Sequence, residues 1–179
     1  MVFAIVMLFS CENPIQEVQE IARKDTLPAV SAFNIEYLRT TKAKKQVVLT
    51  SPKMDRFADK NNPYSEFPEG FEITFYDSLG QKVSYIKANY GINYTNRRFM
   101  EARNDVVVKN LETEEQLNTE NLVWDQNKKI IYTNTFVKIT SPDKVILGDS
   151  LWATEDFSKR RISRVKDSFF EIEEDSLKN

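Results

Sequence analysis

The chain has 179 residues, 41% hydrophobic and 29% charged, which suits one folded domain with a core and excludes a disordered chain. Lys and Arg number 25 against 27 Asp and Glu, a net charge of −2, so no overall field draws the chain to nucleic acid. It has no histidine and one cysteine, which removes imidazole chemistry, internal disulfides and cysteine-based zinc sites; no catalytic set, metal site or cofactor is expected.

Residues 2–9 form an apolar run. A helical span of a hydrocarbon core needs about 20 residues, whereas the apolar region of a secretory signal needs roughly 7–15. The run ends in Leu8-Phe9-Ser10-Cys11, the pattern of a bacterial lipobox. Small Ser10 leaves the backbone open to a signal peptidase, and the Cys11 thiol is the nucleophile that takes up lipid. The bland reading, a buried N-terminal strand with a core cysteine, ranks below it. Residues 1–10 therefore read as a signal peptide, Cys11 as the lipidation site, and residues 11–32 as anchor and tether. Within the tether, Asn13-Pro14 can start a short helix whose apolar face is Ile15, Val18, Ile21 and Ala22, stopped before Pro28.

From about Phe33 the pattern has period two. Phe71-Glu72-Ile73-Thr74-Phe75, the stretch from Ile86 to Ile92, and Val137-Lys138-Ile139 alternate, and turn residues fall at Asp77-Ser78-Leu79-Gly80, Thr95-Asn96, Asp125-Gln126-Asn127 and Ser141-Pro142-Asp143-Lys144. Pro63 and Pro68 bracket Tyr64-Ser65-Glu66-Phe67 as a loop or edge segment. An all-β domain is expected over residues 33–166, followed by an acidic tail over 167–179.

The strands repeat. Aligning Thr50, Ala88, Thr119 and Gly148 places Val48, Ile86, Leu117 and Ile146 two residues earlier, and Met54, Ile92, Val123 and Trp152 four residues later. Even offsets share a sheet face, so these eight apolar residues are expected to point inward together. A second block sets Asn96-Arg97-Arg98-Phe99-Met100 beside Asn127-Lys128-Lys129-Ile130-Ile131, leading into Val106 and Val108 or Val137 and Ile139. Units of this size bury their apolar faces only by stacking into a two-walled sheet. An elongated, open β-jelly roll is the expected architecture.

These residues resemble the LptC family of periplasmic lipopolysaccharide-export proteins, in its lipoprotein form. The resemblance runs from about Thr40 to Val165. It rests on the lipobox, Leu49-Thr50-Ser51-Pro52, Pro63-Tyr64-Ser65-Glu66-Phe67-Pro68 and Lys87-Ala88-Asn89-Tyr90, then on Glu101-Ala102-Arg103-Asn104-Asp105-Val106-Val107-Val108, Leu122-Val123-Trp124-Asp125, and Gly148 leading to Glu155-Asp156-Phe157-Ser158. Asp105 departs from the family's usual Asn, and lipid replaces the membrane helix of many members. The resemblance implies a V-shaped, LptA/OstA-like jelly roll that shields lipopolysaccharide acyl chains and passes them on without chemistry. It implies lipid contacts at Ile86, Ala88, Ile92, Leu117, Val123, Ile146 and Trp152. It also implies two protein partners: the jelly roll of the inner-membrane export transporter at the N-terminal edge, and an LptA-like shuttle protein at a C-terminal edge around Ile162, Ser163 and Val165. The location implied is the periplasmic side of the inner membrane, held by the lipid anchor. The basic cluster Lys159-Arg160-Arg161 with Arg164 could meet lipid phosphates, although a solvated face is the commoner use of such a cluster. The alternative function is a structural or protein-binding lipoprotein with no part in lipid transfer.

Overall fold

The computed structural model describes residues 27–154 and 159–170. Cys11, the expected signal peptide, the expected helix, Glu155-Asp156-Phe157-Ser158 and the chain from residue 171 lie outside them.

Among the described residues the fold is all-β, built from fourteen strands with no helix. The chain runs back and forth in nine legs. The first five are β1 (Val30–Thr41), β2 (Lys44–Phe57), β3 with β4 (Tyr64–Phe67, Phe71–Tyr76), β5 with β6 (Lys82–Ala88, Tyr90–Tyr94) and β7 (Phe99–Asn110). The last four are β8 (Gln116–Asp125), β9 with β10 (Ile130–Thr133, Val137–Ser141), β11 with β12 (Lys144–Gly148, Ser150–Thr154) and β13 with β14 (Arg160–Ser163, Lys166–Phe170). One half of each leg pairs antiparallel in the order β1-β2-β4-β5-β7-β8-β10-β11-β14, here wall A. The other half pairs as β1-β2-β3-β6-β7-β8-β9-β12-β13, wall B. The molecule is thus one meandering sheet folded along its middle, an open β-jelly roll.

The fold line is written in residues that tolerate unusual backbone. Asn34, Asn104, Asp105 and Arg164 take left-handed conformations with φ of 50°, 63°, 52° and 53°, and Gly70 has φ of 83°. Short polar side chains and glycine accept this region at least cost. Asn89 and Asp149 separate β5 from β6 and β11 from β12, and the Asn89 N–H donates to the Asn104 carbonyl of the neighbouring corner at 2.9 Å.

In alternate legs (β2, β5 with β6, β8, and β11 with β12) the corner shifts the alternation by one residue. The legs β3 with β4, β7, and β9 with β10 keep it, their inward pairs Phe67 and Phe71, Ala102 and Val106, and Thr133 and Val137 standing an even number of positions apart. In wall A the inward row is Leu49, Ile73, Ile86, Val108, Leu117, Ile139 and Ile146, each paired with the next. Ala88, Thr119 and Gly148 keep the same phase, with Thr119 beside Val106 and Val137. Beyond the corner the inward residues come three positions after the small one, not four: Met54 after Ser51, Gly91 after Ala88, Leu122 after Thr119 and Leu151 after Gly148. Buried apolar residues of both walls, including Phe67, Phe71, Met100, Ala102, Val106, Leu122 and Val137, form one core along the fold line.

This slip corrects half of the expected inward face. Ile86, Leu117, Ile146 and Met54 point inward and pack with the core. Val48 pairs with Thr74, one residue out of phase with Leu49 and Ile73, so it lies on the opposite face. Ile92, Val123 and Trp152 share one register row, through Glu101 and Tyr132, but that row is also on the outer face. In the first copy the small inward residue is Ser51, whose Oγ donates to the Gly70 carbonyl at 2.7 Å, and not Thr50.

Other boundaries move as well. The segment between Pro63 and Pro68 is an internal strand, β3, held between β2 and β6. Its prolines sit just outside the ladder, where no donor is lost. The sheet begins at Val30 and ends at Phe170, because main-chain pairing of Lys144 with Phe170 and Val145 with Phe169 carries it past residue 166. The second repeat block is present as read: Arg98 and Lys129 take φ of 52° and 54° at equivalent turns, and Met100 and Ile131 flank Trp124 in one inward row.

Candidate functional site

Because the walls meet at the fold line, they separate toward the hairpin ends. A cleft of about 990 Å³ opens there. Its floor on the wall A side is Val47, Phe75, Ile86, Val108, Leu117 and Ile139, wall B contributes Leu151, and Ile130 borders it at the β8–β9 hairpin. Phe75 and Trp124 bridge the walls edge to face, with centroids 6.2 Å apart and planes at 66°. That geometry sets the quadrupoles of the two rings in attraction and fixes how far the walls stand apart. The floor offers no nucleophile beside a base and no paired acids among the described residues. Among the described residues, no group of His, Cys, Asp or Glu could hold a metal.

The rim is polar and mostly basic. Arg39, Lys128, Lys129, Lys159 and Arg160 border the cleft together with Glu112 and Glu115. Arg160 donates to Glu115 Oε2 at 2.5 Å, an ion pair that joins β13 to the loop before β8. Lys128 pairs with Asp125 at 3.3 Å. The Asp125 carboxylate also accepts the backbone N–H groups of Lys128 at 3.0 Å and Asn127 at 3.1 Å. The Lys128 N–H is the main cause holding this carboxyl below its usual range, and the turn carrying Lys128 and Lys129 is fixed by it.

Of the residues expected to touch lipid, the cleft gathers Ile86, Leu117 and Trp152. Trp152 is 41% exposed, and its register sets it on the face opposite Leu151. Ala88 is buried in the core by the fold line, and Ile146 packs against that core from wall A. Ile92 and Val123 are buried on the outer face, near the Glu101–Arg103 ion pair. Sequence reasoning missed Val47, Phe75, Val108, Ile139 and Leu151. Phe75 and Ile139 carried the signal, since each belongs to a period-two run already read as a strand, and Val108 was read in the apolar pair that repeats as Val137 and Ile139.

Both outer edges are bent legs that span the two walls. β1 is exposed along most of its length, with Phe33 66% and Tyr37 62% exposed. β13 and β14 form the opposite edge. Ile162 packs against the core, whereas Val165 lies past the corner at Arg164 and is 53% exposed. Their three-residue spacing is this corner, and Val165 falls between β13 and β14.

A family model described as Lipopolysaccharide-assembly, LptC-related matches residues 1–156. No curated protein matches the chain.

Proposed function

Since the chain belongs to the LptC-related family of lipopolysaccharide-assembly proteins, and so takes part in lipopolysaccharide transport at the cell envelope, we propose that it carries the lipid by its acyl chains in the cleft between the two walls. The observation that carries this reading is the unbroken inward row of Leu49, Ile73, Ile86, Val108, Leu117 and Ile139 across six neighbouring legs, opening on an apolar-floored cleft. Each methylene leaving water for such a floor gains about 0.8 kcal/mol, so tails are held without covalent chemistry and released by displacement. The family is a transport component, and the role here is non-enzymatic.

Hand-off needs neighbours. An open edge offers a row of unpaired N–H and C=O groups that a partner strand can complete. β1 is the edge for the transporter's jelly roll, and β13 with β14 is the edge for an LptA-like shuttle. Cys11, lipidated after cleavage behind Ser10, tethers the domain on the periplasmic side of the inner membrane. Mass spectrometry of the mature N-terminus should find diacylglyceryl on Cys11; an unmodified thiol refutes the anchor.

Photoreactive residues at Leu117 and Ile139 should crosslink lipopolysaccharide in cells, and those at Ile92 and Val123 should not. Crosslinks from the outer pair alone would overturn the cleft. Crosslinks to protein from the edges with none to lipid from the floor would favour the alternative, a protein-binding lipoprotein.

A further inference from the structure

We propose that the basic rim of the cleft is a phosphate-recognition site, which takes the phosphorylated head group of the lipid whose tails fill the floor. The inference rests on the acyl-chain reading above and adds a ligand chemistry that the apolar floor cannot supply. Among the described residues, five cationic side chains border the cleft, against two carboxylates. Two of the five are already compensated: Arg160 by Glu115 at 2.5 Å and Lys128 by Asp125 at 3.3 Å. Arg39, Lys129 and Lys159 have no ion-pair partner among the described residues, and of the two described rim carboxylates Glu115 is engaged by Arg160.

The three come from different elements and both walls. Arg39 of β1 pairs with Val47 of β2, which is in phase with Leu49 and pairs with Phe75, so Arg39 lies on the inward side of wall A. Lys129 occupies the left-handed position of the turn between β8 and β9, with φ of 54°. Lys159 precedes β13, and its N–H donates to Thr154 Oγ1 at 3.1 Å. Fixed backbone beneath two of these cations lowers the entropy lost when an anion is bound. An amphiphile entering the cleft tail-first leaves its head group at this height, where phosphate oxygens meet several cationic donors at once. Free phosphate lacks the tails that hold the anion there, so the site commits to a lipid phosphate.

The test uses the full chain and a fluorescent fatty acid displaced from the cleft by one of two probes. The first probe is a phosphorylated glycolipid; the second is the same glycolipid, with the same acyl chains, after enzymatic dephosphorylation. Wild-type protein should bind the phosphorylated form about tenfold tighter, the worth of one charge-assisted hydrogen bond. Added salt should narrow the gap. Lys129→Glu with Lys159→Glu should abolish the preference and leave affinity for the dephosphorylated form unchanged. Lys129→Met with Lys159→Met should fall between the two. All four substitutions are at exposed positions, and unchanged melting will show that the fold is kept. Two results overturn the rim while leaving the cleft standing: equal affinity of wild type for both forms, or a preference that survives charge reversal. Loss of the preference to inorganic phosphate at matched concentration would also overturn it. Displacement by neither form would refute the acyl-chain reading itself.

Discussion

Gly91 is where the packing of the fold line can be tested most sharply. A Cβ at this position would lie 2.5 Å from Phe71 Cε1, 2.7 Å from its Cδ1 and 3.3 Å from Phe67 Cδ2. Carbon atoms in ordinary contact stand about 3.5–4.0 Å apart, so Gly91→Ala requires the Phe71 ring to retreat by roughly 1 Å. The ring has little room: both phenylalanines are buried in the core, with centroids 5.7 Å apart. Overpacking of this kind costs about 1–3 kcal/mol. Gly91 is not among the positive-φ residues, so alanine incurs no backbone strain and regains about 0.4–1 kcal/mol by narrowing the unfolded ensemble. The net loss is about 1–2 kcal/mol. With a urea m-value of about 1–3 kcal/mol/M, the unfolding midpoint should fall by roughly 0.3–2 M at constant m. Phe71→Leu removes the ring edge that the new methyl strikes, so the double variant should be more stable than the sum of the single changes. Gly80→Ala is the control, since nothing lies within 4 Å of its Cβ and its φ of +83° makes backbone strain the whole cost. A Gly91→Ala midpoint at or above the parent's, or strict additivity with Phe71→Leu, would refute the packing argument.

Asp55 joins β1 to β2 by accepting the Ser31 hydroxyl at 2.6 Å, and Lys53 lies 3.0 Å away. The Ser31 bond first and Lys53 second hold its pKa below the ordinary value. Its contribution is therefore complete above about pH 4 and is lost as pH falls through the lower folded value. Ser31→Ala and Asp55→Asn should each flatten the acid limb of melting temperature against pH, and an unchanged limb would refute the assignment. At Asp125, the Asn variant should speed amide exchange at Lys128 without altering exchange in β4; equal protection in both proteins would show that the rim turn is held by other contacts. At the C-terminal edge, the Thr154 N–H donates to the Lys159 carbonyl at 2.9 Å. The pairs in step with it, Trp152–Arg161 and Ser150–Ser163, exchange bonds inside the sheet, and Ile162 turns its N–H to the open side. Ser163→Pro should thus lower the melting temperature by detaching β13. An ester in place of the Ile162 amide should weaken shuttle capture, and capture equal to the parent's would move the interface elsewhere.

The all-β class, the turns and the repeat were legible because they depend on local signals: period two, Asn and Asp at chain reversals, and a small residue recurring in register. The inward face was half legible. Leu117 and Ile86 precede their corners and follow simple alternation, whereas Val123 and Ile92 come after a bend that inserts one residue into the count. Nothing in side-chain type separates Leu122 from Val123. Only the ladder, in which Leu122 pairs with Ala102 and Val123 with Glu101, decides which faces the core. Asn89 and the pair Asn104-Asp105 were the available clue, since such residues accommodate left-handed backbone and bulges. The last strand was hidden for a different reason. Acidic composition after residue 170 gave the segment the look of a tail, while β14 is held by main-chain pairing to β11.

The corners also constrain what can join the edges. Each terminal leg belongs to both walls, so a flat partner strand could pair with only one half of it before diverging at the bend. Along β1 the register with β2 shifts at Arg39/Thr40 and skips Asn34, and on the opposite edge Arg164 stands between β13 and β14. A partner that satisfies a whole edge must therefore bend at the same height, which is a property of another folded meander and not of an isolated extended peptide. Such a partner extends the two walls together, and the row ending in Tyr37 beside Leu49 continues into the neighbour's inward face. Crosslinking Tyr37 to a jelly-roll partner should then need the partner's own corner: straightening it by deletion of one corner residue should shift every later side chain to the other face and abolish the crosslink. A crosslink that survives the deletion would show that main-chain pairing to one half of β1 is enough.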